Sequence, residues 1–89
     1  MNQEIMEFLN SPEFKQIPPA KANMIREMIT LMDGKDTNSR LQILIAYGFK
    51  MKNAGLSLTQ EESSMMIAAI QGNMTPEERQ KIQTLLRMF

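Results

Sequence analysis

No cysteine, histidine, valine or tryptophan occurs among the 89 residues, and Tyr47 is the only tyrosine. Without cysteine there is no disulfide scaffold and no thiolate metal site. Without histidine the commonest general base and the commonest transition-metal ligand are missing. The missing valine and tryptophan, with one tyrosine, remove side chains on which sheet proteins draw heavily. Charge of one sign is also lacking: ten basic and ten acidic residues cancel, so no global field steers the chain toward nucleic acid or an anionic membrane. The longest apolar run, "LQILIAYGF", is far short of a membrane span. The opening "MNQEIMEFL" has no basic segment leading into a long apolar one, so it does not read as a signal peptide and a cytoplasmic protein is expected.

What is present reads as one small all-α domain over residues 1–89. A hydrophobic content of 43% with 22% charged residues is ordinary globular usage. A chain of this length buries only about 60–65% of its unfolded surface. Four main helices are expected, preceded by a short N-terminal helix or turn. Gln3 to Leu9 forms a short apolar-rich segment that breaks at Asn10. Ser11-Pro12-Glu13 then restarts a helical turn with cap, N1 and N2 chemistry. Pro18-Pro19 ends that turn. From about Ala20 to Met32, Met24, Ile25, Met28, Ile29, Leu31 and Met32 share one half of a helical wheel, and Gly34 supplies a left-handed stop. Asp36 or Thr37 caps a third helix running to about Asn53. Its apolar residues spread around most of the circumference, which predicts the central, most covered helix. A strand over Gln42–Phe49 is the rival reading, and the flanking caps favour the helix. Gly48 in that helix suggests a close helix approach. Gly55 stops it, with Leu56 placed to meet Met51 in a Schellman motif.

The last two helices share a template. "LTQEESSMMIAAIQ" and "MTPEERQKIQTLLR" align without gaps, and each opens on Thr-x-Glu-Glu. Thr59 with Glu62, and Thr75 with Glu78, have the spacing of capping boxes. Gly72-Asn73 separates the two, so they should form a helical hairpin. Ile82, Leu85, Leu86 and Phe89 fall at i, i+3, i+4 and i+7, a stripe expected to close the core with Phe89 as its last contact.

Several constellations invite a functional reading. The acid pairs Glu61-Glu62 and Glu77-Glu78 do not make a carboxylate dyad, since helix neighbours point about 100° apart, and first-turn capping accounts for them. Ten methionines are many for this length. Met24, Met28 and Met32 form a row, and Met65-Met66 opens the apolar face of the fourth helix. Met-rich faces serve adaptable binding or fill irregular cores; the sharing of an arc with Ile25, Ile29 and Leu31 favours core, while Met24, Met28, Met32, Met65, Met66 and Phe89 stand as the candidate partner or dimer contacts. A thioether copper site lacks supporting ligands. Residues 34–56 hold four basic residues against Asp36, a net +3, but Lys50 and Lys52 lie about 160° apart on the wheel and make no stripe.

A non-catalytic helical protein–protein interaction or regulatory module, engaging a protein partner or a second copy, is the function expected. It needs no cofactor, no metal and no membrane. The alternative is a DNA-binding regulator, with a helix-turn-helix-like pair at 60–71 and 76–89 and with Arg79, Gln80, Lys81 and Gln83 as candidate nucleic-acid contacts. Against it, Glu77 and Glu78 would sit near the phosphates. A small-molecule or enzymatic domain is the third class. It would require a concave pocket with converging polar groups; no phosphate-binding loop or serine–histidine pairing points to one.

Overall fold

A computed structural model of the chain describes residues 3–70 and 74–88, without the side chains of residues 69 and 70. It is all-α: α1 (Gln3–Leu9), α2 (Pro12–Lys15), α3 (Pro19–Met32), α4 (Thr37–Asn53), α5 (Gln60–Ile70) and α6 (Pro76–Arg87). The Gly72-Asn73 connection lies outside the described residues.

Local chemistry sets the boundaries. Ser11 caps α2, accepting from the Phe14 N–H at 3.2 Å while its hydroxyl donates to the Phe8 carbonyl at 2.7 Å. Pro19 stands at N1 of α3, where its missing N–H costs nothing. Asp36 caps α4 by accepting from the Ser39 N–H at 2.8 Å. That bond holds the Asp36 carboxyl below its ordinary pKa. Two glycines have left-handed backbone, Gly34 at φ 74° and Gly55 at φ 72°, conformations that a β-carbon disfavours. At Gly55 the full Schellman pattern forms: Leu56 N–H donates to Met51 O at 2.7 Å and Gly55 N–H to Lys52 O at 3.1 Å.

The helices pack as a closed circuit. α1 lies on α2 and on α5, α5 on α6, α6 on α4, and α4 on α3. Phe14 of α2 closes the circuit: Arg26 of α3 sits 5.3 Å from its ring centroid, and Phe8 of α1 packs edge-on at 5.2 Å. The core is drawn chiefly from α3, through Ala22, Ile25, Met28, Ile29 and Met32, joined by Ile5, Phe14, Ile17, Leu44, Met51, Met66 and Ile82. Met66 and Ile82 occupy matching positions of the shared α5/α6 template, and both are fully buried.

Two expectations are corrected. α4 is not covered on most sides: Leu44 and Met51 are its buried residues, whereas Ile45 and Phe49 are 36% and 53% exposed. It packs on α3 and α6 along one side, and a domain this small has too few elements to cover the rest of a 17-residue helix. Leu31, grouped by the wheel with the core face of α3, is 48% exposed. It lies at the margin of that arc, about 125° from the centre of the buried set, at about 100° per residue.

Candidate functional site

Polar ties among the described residues cross between helices at three places. The first-turn glutamates that open α5 and α6 have diverged in what they do. Glu62 completes its capping box, accepting from the Thr59 N–H at 2.9 Å while Thr59 Oγ1 accepts from the Glu62 N–H at 3.1 Å. It also accepts from Lys21 Nζ of α3 at 2.9 Å, with both side chains largely covered. Glu78 keeps half of the box, its N–H bonded to Thr75 Oγ1 at 3.1 Å. Its carboxylate does not reach back to the cap as the spacing predicts. It turns inward, 3% exposed, to α4: Thr37 Oγ1 donates to Oε2 at 2.8 Å, and Arg40 Nη2 lies 3.0 Å from Oε2 and 2.8 Å from Oε1. The reason is competition. A guanidinium in the packed α4–α6 seam offers a charged donor that a backbone N–H cannot match. A third tie joins Tyr47 Oη to Glu27 at 3.2 Å, bridging α4 and α3.

Burial by itself would raise the Glu62 pKa, but the Thr59 N–H and the Lys21 ammonium outweigh it and bring the carboxyl below its ordinary 4.5. A folded-state pKa below the unfolded value means that Glu62 stabilises the fold above about pH 4.5, and that this contribution is lost as pH falls through the folded value. Replacing Glu62 by Gln should therefore flatten the loss of thermal stability between neutral and acid pH. Melting curves of both chains across that range check it, and parallel curves would deny Glu62 this role.

The Tyr47–Glu27 tie lines a shallow depression with Asn23, Arg26, Thr30 and Leu31. Among the described residues no cluster of three potential His, Cys, Asp or Glu metal ligands occurs, and no helix is long and apolar enough to cross a membrane. Among the described residues, a groove of about 640 Å³ opens between α5 and α6. Half-buried Leu58, Ile67 and Leu86 make its apolar floor. Gln60, Ser63, Ser64, Gln83 and Arg87 give it polar walls. The shared template explains the construction. Ile67 and Gln83 are equivalent positions, one residue and about 100° on from the buried Met66 and Ile82, so each helix turns the same side to the gap. Arg87 is the single formal charge among the described lining residues. Adjoining the groove around α5, and sharing Ala68 with it, a second, shallower depression is lined by Glu4, Glu7 and Glu13 with Phe8 and Met65, and by no basic side chain among the described residues. The lone cation and the three glutamates thus line neighbouring depressions beside α5.

The candidate partner methionines sit elsewhere. Met28, Met32 and Met66 are 1%, 6% and 1% exposed and fill the core, so they are out of a partner's reach. For Met28 and Met32 the arc they share with Ile25 and Ile29 decides this. Met24 and Met65 are half-buried and packed against the same core, and Phe89 lies outside the described residues. The candidate nucleic-acid contacts Arg79, Gln80, Lys81 and Gln83 are all exposed. Spaced about 100° per residue around α6, they spread over about 200° and share no reading edge; Gln83 turns into the groove instead. Sequence reasoning missed the groove. Its trace was the aligned pair Ile67 and Gln83, a template position that is apolar in one copy and polar in the other. Compared with protein-family models, curated proteins and solved structures, the chain matches none.

Proposed function

We propose that this chain is a non-catalytic helical interaction module and that the α5–α6 groove is its docking surface. The observation that carries this reading is the groove's make-up: an apolar floor of Leu58, Ile67 and Leu86 between polar walls, held open by two helices. A helix laid in such a groove anchors through several side chains at once. The absence of histidine and cysteine from the sequence supports the non-catalytic part. A photo-crosslinking residue at Ser64 or Gln83, both groove residues, should give one dominant protein adduct in the native host. The same probe at Lys15, exposed on α2, should not. Identical adduct patterns at all three positions would remove the groove as the docking surface.

Self-association is the second reading, favoured by a different surface. Half-buried Leu41 with exposed Ile45 and Phe49 forms an i, i+4, i+8 apolar row on α4. Sedimentation of the wild-type chain beside Ile45→Glu should show a dimer that the variant loses; two monomers would exclude it.

A further inference from the structure

We propose that the occupant of the α5–α6 groove is an amphipathic helix of another protein whose flank beside Arg87 is acidic; the inference rests on the docking reading above and adds the chemistry of the partner. The argument is charge segregation. Among the described lining residues the groove holds one cation, Arg87, and no carboxylate. Neither acidic residue of α5 lines it: Glu62 is turned to Lys21 and Thr59, and exposed Glu61 lies outside the lining. Glu78 of α6 is buried against Arg40. The depression lined by Glu4, Glu7 and Glu13, which borders the groove at Ala68, would repel the same helix. An acid-flanked helix is therefore attracted to the Arg87 end of the groove and turned away from the acidic depression that borders it at Ala68, which also fixes where it docks.

A second copy is the poorer occupant. The exposed apolar row this chain offers on a long helix is that of α4, and the last turn of α4 carries Lys50 and Lys52, the same sign as Arg87. α1 has acidic flanks around exposed Met6 but is seven residues long, too short to present anchors through i+7 with a turn to spare.

The test uses the full chain and three designed, fluorescein-labelled helical peptides. All carry leucine at i, i+3, i+4 and i+7, and they differ only in a glutamate, glutamine or lysine flank. Fluorescence anisotropy at low salt should show the glutamate peptide binding about fivefold tighter than the lysine peptide, the size expected of a rim ion pair. High salt should erase the difference. Arg87→Glu should invert the order, which also certifies that the variant is folded. Amide shifts on titration should concentrate around Ser63, Ser64 and Gln83. Equal binding of all three peptides would overturn the acidic partner while leaving the docking groove standing. Binding of none would overturn both. Shifts centred away from the groove, or competition between the peptide and self-association of the chain, would reassign the occupant and overturn the proposal.

Discussion

Arg40→Ala should cost the fold about 3 kcal/mol, the usual penalty for removing one partner of a buried ion pair. The loss does not come from the attraction alone. Arg40 is 20% exposed and Glu78 only 3%, so deleting the guanidinium leaves a carboxylate in the α4–α6 seam with the Thr37 hydroxyl as its remaining side-chain donor among the described contacts. Water reaches it poorly, and the desolvation already incurred is no longer offset. The double variant Arg40→Met with Glu78→Leu should behave differently. Replacing a buried pair by apolar residues of similar volume is often neutral or stabilising. Chemical denaturation of the parent, the single variant and the double variant decides the matter. A single variant within about 0.5 kcal/mol of the parent, the range of ordinary surface substitutions, would mean that the pair adds nothing to the α4–α6 seam.

That pair also marks where the sequence stops being legible. Glu78 is readable as a capping residue because Thr75 stands three positions before it. Arg40 stands 38 residues away, and no local pattern connects them. The same division runs through the fold. Caps at Ser11, Asp36, Thr59 and Thr75, the stops at Gly34 and Gly55, and the Met51–Leu56 bond are all local, and all follow from residue chemistry within a few positions. Coverage is not local. The wheel of α4 shows apolar residues at Leu41, Leu44, Ile45, Phe49 and Met51, but which of them meets another helix depends on where α3 and α6 arrive. The groove is hidden for the same reason. Leu86 reads as a core position, and with Leu58 and Ile67 it becomes a floor because no described helix of the chain crosses over them. The methionine row was legible in the other direction: sharing an arc with Ile25 and Ile29 made it core.

Truncation after Thr84 should have the largest effect of all. It removes Leu85 and Leu86, both half-buried and packed against the core, together with the last turn of α6. It also leaves Ile82, fully buried in the intact chain, near a frayed helix end. Full burial of a leucine is worth about 1.5–3 kcal/mol. Two half-buried leucines with partial exposure of Ile82 therefore amount to about 4 kcal/mol. A domain of this size has a total stability of about 4–13 kcal/mol, so the truncated chain should melt more than about 15 °C lower or lose its cooperative transition. Calorimetry or helical circular dichroism against temperature reads this directly. The two leucines divide the result between core and docking surface. Leu86 lines both the groove and the crevice beside Gly48, where α3, α4 and α6 meet; Leu85 lines neither among the described residues, yet packs on the core. Leu85→Ala should therefore lower the melting temperature without changing peptide binding, and Leu86→Ala should weaken both. If the truncated chain melted with the parent, the final turn would contribute nothing to the core, and Leu86 would belong to the partner's site alone.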